Sequence, residues 1–148
     1  MGSAMSSPPY TNTLAPAADA AGRVLLASLF LFEAIVKLRG YDLAGDYMAA
    51  YGVPPKLLPF AIATELGCGT LIVLGWQTRR AALALSGFCL IAAAIFHTKF
   101  SDTNQTLHFA KDIALAGAFL VVAGRGAGRF SLDARFGGRP EQASRQPV

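Results

Sequence analysis

Hydrophobic residues are concentrated in four long stretches of the chain, and short segments rich in polar residues, glycine or proline separate them. A helix that crosses the hydrocarbon core of a bilayer needs roughly 20 mainly apolar residues. Each stretch comes close to that length, so the pattern predicts four membrane-spanning helices. These spans cover residues 21–38, 56–76, 80–97 and 107–123.

The segments between the predicted spans contain residues that interrupt helices. Residues 40–55 include three glycines and a Pro-Pro pair, so a loop is expected there. The middle of that loop, residues 43–52, is compatible with a short interfacial helix. Residues 77–79 are expected to form a tight hairpin, which makes the second and third spans antiparallel neighbours.

Two polar tails flank the predicted spans. Residues 1–20 are rich in proline, serine and alanine without hydrophobic periodicity, so we expect a mobile tail. They lack the basic start and the cleavage site of a signal peptide. Residues 134–148 are expected to form a second polar tail, which leaves residues 21–133 as one domain.

Composition places this domain in a membrane. Of the 148 residues, 53% are hydrophobic and only 15% are charged, whereas a soluble domain has about 25% charged residues. The mean hydropathy is +0.43. We therefore predict an all-α fold, an integral membrane four-helix bundle in the lipid bilayer. Arginine and lysine do not cluster with exposed aromatic residues, so no nucleic-acid partner is expected.

Basic residues are distributed unequally between the two sides of the predicted bundle. One side has eight arginines: Arg23, Arg79, Arg80, Arg125, Arg129, Arg135, Arg139 and Arg145. The other side has Arg39, Lys56 and Lys99, which three aspartates partly balance. The positive-inside rule then predicts that both termini lie in the cytoplasm. We expect the protein to be a multi-pass protein of the bacterial inner membrane.

Ionisable residues in all four spans fall in the same outer half of the bundle. Glu65 is the deepest, about nine residues or roughly 13 Å into the second span. An unpaired charge in hydrocarbon is costly, so these side chains are expected to face inward and to pair. The set consists of Glu33, Lys37, Glu65, His97, His108, Lys111 and Asp112.

Spacing within each helix supports such pairing. Glu33 and Lys37 are four residues apart in the favourable order, and His108 lies three residues before Lys111 and four before Asp112. Single residues also have simpler interpretations, since Lys37 can extend to the headgroups and His97 can end its helix at the interface. The whole set can also be a buried structural network. No tightly spaced metal ligands are present, so no metal site is predicted.

Several short motifs, taken in order, resemble those of the DoxX family of small four-helix membrane proteins. They are Gly22-Arg23, FEAIVKL at 32–38, YGVP at 51–54, ELGCG at 65–69, LGWQTRRAA at 74–82, FH at 96–97, QTLHFAKDIALAGAFL at 105–120 and GAGRFSLD at 126–133. Two positions depart from the family pattern. Asp112 stands where the family usually has Asn, and Ala34 lies near a frequent Gly. The resemblance implies an oxidoreductase subunit with a quinone-related pocket and a redox partner protein.

Three functions follow as hypotheses. In the first, the outer pocket binds a quinone, Glu33, Glu65 and His97 are catalytic, and Lys37, Lys111, Asp112 and His108 complete the pocket. Because the chain has no dinucleotide, CxxC or haem motif, the electrons must come from a partner or a bound cofactor. In the second, the pocket binds or transports a small molecule, lipid or protons, and the protein forms a homo-oligomer. In the third, the arginine-rich side docks a soluble enzyme.

Overall fold

A computed structural model describes residues 15–136, and within this range the chain contains helices and turns but no strand. The helices are α1 (Ala15–Arg39), α2 (Tyr41–Ala50), α3 (Leu58–Leu74), α4 (Thr78–Phe96), α5 (Thr103–Arg125) and α6 (Leu132–Phe136). A short 3-10 turn, Pro55–Leu57, precedes α3. The predicted all-α class is confirmed.

The helices α1, α4 and α5 are longer than the apolar pattern indicated, whereas α3 is shorter than the predicted span 56–76. α1 already begins at Ala15, because the alanine-rich segment before residue 21 favours a helix and Pro16 lies in the first turn, where proline is tolerated. Residues 15–20, which were expected in the tail, are therefore helical. α6 likewise includes residues 134–136 of the predicted C-terminal tail. The rest of both predicted tails lies outside the described residues.

Three helical segments are long and apolar enough to cross a membrane: Pro55–Leu74, Thr78–Phe96 and Thr103–Arg125. α1 is not among them, so the fourth span and the cytoplasmic termini stay predictions. Large apolar side chains cover the outside of the bundle, for example Leu25 and Phe60, which are 72% and 71% exposed. This surface is the arrangement expected of helices that contact lipid.

Neighbouring helices pack through small residues. α1 packs against α3, α3 against α4, and α4 against α5. At Gly69 a Cβ atom would lie 2.9 Å from Leu31 Cδ2, so a larger residue there would have to displace the Leu31 side chain where α1 meets α3. Between α4 and α5, Ser86 Oγ donates a hydrogen bond of 3.0 Å to the Ala116 carbonyl oxygen. The rings of Phe30 and Phe119, 5.3 Å apart, bring α1 to α5.

The C-terminal segment is fixed against one end of the bundle. Arg23, only 4% exposed, donates hydrogen bonds of 2.7 Å to the carbonyl oxygens of Ile72 and Phe130. Asp133 accepts hydrogen bonds from the backbone N–H groups of Gln77 and Thr78. The first part of α1, the α3–α4 hairpin and the segment after α5 therefore meet at one end. These are the regions to which the arginine distribution assigns one side of the membrane.

Candidate functional site

The ionisable cluster, defined here as Glu33, Lys37, Glu65, His97, His108, Lys111 and Asp112, lies toward the other end of the bundle. Glu65 is at its centre because it takes a core position on α3, in line with the buried residues Leu58, Ile62, Gly69 and Ile72. Its side chain is fully buried, and Oε1 accepts a hydrogen bond of 2.6 Å from Lys37 Nζ. The closest ion pair of the cluster thus joins α1 to α3.

Glu33 connects this pair to α5. Lys37 Nζ lies 3.4 Å from Glu33 Oε2, as the spacing of four residues predicted. Lys111 Nζ lies 3.9 Å from Glu33 Oε1, on the other side of the same carboxylate. The side chains of Glu33 and Lys111 are 38% and 41% exposed, so the cluster reaches the protein surface between α1 and α5.

Asp112 links the cluster to α4. It lies on the inward face of α5, in line with the buried residues Ala116, Phe119 and Ala123. Its Oδ2 atom is 3.6 Å from His97 Nε2, and its Oδ1 atom is 3.8 Å from Lys111 Nζ. Asp112, one of the two positions that depart from the family pattern, therefore contacts two other members of the cluster.

His108 occupies the edge of the cluster rather than its centre. Its ring stacks on that of His97, with centroids 5.1 Å apart. Its Nδ1 atom lies 3.4 Å from Lys111 Nζ. The spacing also allowed His108 to pair with Asp112, but Asp112 pairs with His97 and Lys111 instead. The structure thus brings all seven predicted residues into one connected group.

Two polar residues that the sequence did not single out extend the group toward the loops. Gln105 Oε1 lies 2.8 Å from His97 Nδ1, and Gln105 Nε2 donates to the Tyr51 hydroxyl at 3.3 Å. With a proton on Nδ1 directed at Gln105, the Nε2 atom of His97 faces Asp112. The spacing of three residues between Gln105 and His108, which puts both on one face of α5, is the signal that was available for Gln105.

Taken together, these contacts form a continuous polar path. It runs from Tyr51 through Gln105, His97, Asp112, Lys111, Glu33 and Lys37 to Glu65, and its successive distances are between 2.6 and 3.9 Å. The second carboxylate oxygen of Glu65, Oε2, is buried and has no hydrogen-bond partner within residues 15–136. Except for Gln105, every side chain on this path can gain or lose a proton, and the steps of 3.6 to 3.9 Å on either side of Asp112 and Lys111 are longer than hydrogen bonds.

An open cavity of about 440 Å³ lies at the opposite end of the bundle and not at the cluster. Arg79, Arg80 and Arg125 line it together with residues of the C-terminal segment. We call it the arginine cavity. The ionisable cluster is the stronger candidate for proton chemistry, because the described residues that line the cavity include no histidine and only one acid, Asp133.

Comparison with known proteins agrees with this architecture. Residues 18–98 match the family model DoxX. The chain belongs to the DoxX family. The matched DoxX segment includes Glu33, Lys37, Glu65 and His97, that is, the part of the cluster on α1, α3 and the end of α4.

Two curated relatives of this DoxX protein come from Escherichia coli (strain K12). Inner membrane protein YqjF is 39% identical over 111 residues, which cover 75% of this chain and 85% of YqjF. Inner membrane protein YphA is 33% identical over 120 residues, which cover 76% of this chain and 86% of YphA. No solved structure is significantly similar. Together with its apolar helices, these relatives identify the chain as a multi-pass inner membrane protein.

Proposed function

We propose that this DoxX protein is a membrane subunit of a quinone-linked oxidoreductase and that its ionisable cluster exchanges protons with the bound quinone. The observation that carries the proposal is Glu65, a fully buried acid with one oxygen paired to Lys37 and the other without a partner within residues 15–136. A buried carboxyl oxygen of this kind can accept a hydrogen bond from a quinol hydroxyl, and in its protonated form it can donate one to a quinone carbonyl oxygen.

Access from the bilayer supports a lipid-soluble ligand. The half-exposed side chains of Glu33 and Lys111 lie where α1 and α5 face each other, and α1 and α5 are not principal packing partners. An apolar molecule can therefore approach the cluster sideways from the hydrocarbon, while its polar head meets charged groups. A soluble substrate would need a water-filled entrance instead.

The residues of the ionisable cluster have different roles in this function. A quinone, when bound, supplies two-electron redox chemistry in which each electron is accompanied by a proton. Glu65 and Glu33 hold and transfer these protons, and His97, whose ring is oriented by Gln105, donates a hydrogen bond or exchanges a proton with Asp112. Lys37 and Lys111 pair with these acids and hold their carboxylates in position. The electrons come from a redox partner protein or its cofactor.

The test is to purify the full chain in a mild detergent and to quantify co-extracted quinone by mass spectrometry. Wild type is expected to retain quinone in near-stoichiometric amount, and Glu65→Gln is expected to lose most of it. Asp46→Asn on the exposed side of α2 serves as the control for removing an acid and should retain quinone. A wild-type protein without quinone, which also fails to bind added quinone in nanodiscs, would contradict the proposal.

A second function is favoured by the polar path itself. The path begins at Tyr51 and Gln105 near the loops and ends at a buried acid, as in proteins that bind or conduct protons or small solutes. Proteoliposomes loaded with a pH-sensitive dye distinguish the two. Proton flux that needs Glu65 but no quinone would support the transport function, in which the protein works without a redox partner and as an oligomer. Docking of a soluble enzyme has no comparable contact to support it.

A further inference from the structure

We propose that the arginine cavity binds the phosphate group of an anionic phospholipid. This site is separate from the ionisable cluster, which lies toward the other end of the bundle. The cavity measures about 440 Å³, which is within the range of small-molecule sites and larger than a phosphate group requires. The proposal does not depend on the function proposed for the cluster.

The charge of the cavity favours an anion. Three arginines, Arg79, Arg80 and Arg125, line the cavity together with a single acid, Asp133. Both oxygens of Asp133 already accept hydrogen bonds from the backbone N–H groups of Gln77 and Thr78, at 2.8 and 3.0 Å. The acid is therefore engaged in capping α4, and its charge only partly offsets the arginines.

The arginines themselves lack strong partners among the described residues. Within residues 15–136, no carboxylate lies within 4.0 Å of Arg79 or Arg80. Arg125 is 3.9 Å from Asp19, and both side chains are largely exposed. Guanidinium groups form paired hydrogen bonds with phosphate oxygens, so this set suits a phosphate better than a monovalent ion such as chloride.

Glycine at the end of α5 lets one arginine lie close to the backbone at the cavity wall. Gly126 has φ +82°, and a Cβ atom there would lie 3.3 Å from Arg79 Nε. Glycine at this position therefore leaves room for the Arg79 side chain beside the end of α5. A wall formed by the hairpin and the C-terminal segment, which Arg23 and Asp133 fix together, gives the cavity a defined shape.

The surroundings favour a lipid over a soluble phosphate. The cavity is at the ends of α3, α4 and α5, the three helices that are apolar enough to span the membrane. Next to it, Trp76 and Phe130 are 51% and 64% exposed, which is typical of aromatic residues at the boundary of hydrocarbon and headgroups. A phospholipid can place its phosphate among the arginines while its acyl chains lie along the exposed apolar side chains.

Native mass spectrometry of the purified full chain tests the proposal. The probes are phosphatidylglycerol and phosphatidylcholine, titrated separately in the same detergent. Wild type is expected to prefer phosphatidylglycerol, and the double variant Arg79→Gln/Arg80→Gln is expected to weaken that binding by about tenfold or more. The control is Arg129→Gln/Arg135→Gln, which removes the same two charges from exposed residues at the same end but outside the cavity wall, and it should change binding less than about twofold.

A second variant distinguishes lipid binding in the cavity from lipid attraction to diffuse surface charge. Ala134→Phe fills the cavity without changing any charge and is expected to weaken phosphatidylglycerol binding in the same way. Equal losses for the control and for Arg79→Gln/Arg80→Gln, or no loss for Ala134→Phe, would overturn the site. Inorganic phosphate that competes at the same concentration as the lipid would overturn the lipid as its occupant and assign the cavity to a soluble phosphate compound.

Discussion

Lys37 connects two acids that differ in burial. Its ammonium group is 2.6 Å from the fully buried Glu65 and 3.4 Å from the more exposed Glu33. Removing one partner of a buried pair leaves an uncompensated charge, which costs about 3–5 kcal/mol, whereas exposed pairs contribute about 1 kcal/mol or less. Since the Lys37 side chain is itself 27% exposed, the lower end of the buried range applies.

We therefore expect Lys37→Met to lower the free energy of unfolding by about 3 kcal/mol at neutral pH. The control is Lys111→Met, whose contacts with Glu33 and Asp112 are 3.8 Å or longer, and its loss should stay below about 1 kcal/mol. Adding Glu65→Gln to Lys37→Met removes the orphaned charge and should restore most of the stability. Denaturant unfolding in detergent measures all three, and additive losses in the double variant would contradict the pairing.

Residues of the cluster differ in how visible they are in the sequence. Glu65 is visible in the sequence because burying an unpaired acid in an apolar span costs free energy. An acid at such a position is therefore expected to be paired or functional even before the structure is known. Gln105 and Tyr51 carry no charge and lie near helix ends, where polar residues are ordinary, so little in the sequence marks them. Whether Asp112 pairs with His97 or with His108 depends on how α4 and α5 are rotated about their axes. Residue spacing along one helix does not determine that rotation.

At the scale of elements, the residue that precedes α4 in the sequence does not cap this helix with its side chain. Gln77 precedes it with φ +48° and provides no side-chain cap. Asp133 caps the helix instead, from beyond the end of α5. Partial burial acts to raise the pKa of Asp133, but the hydrogen bonds from Thr78 and Gln77 outweigh it and lower the pKa below its usual range. The hairpin was predictable from residues 77–79, whereas a cap from so distant a residue was not.

We expect Asp133→Ala to accelerate backbone hydrogen exchange in the α3–α4 hairpin by about fivefold, because losing a helix cap costs about 1 kcal/mol. The stabilisation by Asp133 is fully present above the ordinary aspartate pKa of about 3.9 and is lost as pH falls below it through the lowered folded value. Exchange measured by mass spectrometry at neutral pH, with Asp102→Ala as control, tests the cap. Asp102 caps α5 through the Asn104 N–H, so its removal should affect only the start of α5.

At the scale of the whole molecule, the two ends of the bundle have different chemistry. The end where the hairpin meets the C-terminal segment has the arginine cavity, and the other end has the ionisable cluster. Apolar stretches predicted the helices well because a segment in hydrocarbon must form its backbone hydrogen bonds internally, as a helix does. They did not define where α1 begins, since an alanine-rich segment forms a helix in lipid or in water. The four-span topology and its direction therefore rest on α1 and on the arginine distribution.

Single-cysteine labelling decides this topology. With both native cysteines replaced by alanine, we expect Asp46→Cys and Ser101→Cys to react with an impermeant maleimide added to cells with a permeabilised outer membrane. Ala18→Cys and Arg129→Cys should react only after the inner membrane is disrupted, because four spans place these positions in the cytoplasm. External labelling of Ala18→Cys together with Asp46→Cys would mean that α1 does not cross the membrane. External labelling of Arg129→Cys in place of Ser101→Cys would reverse the orientation and put the arginine cavity in the outer leaflet, away from the anionic cytoplasmic surface that favours its proposed lipid.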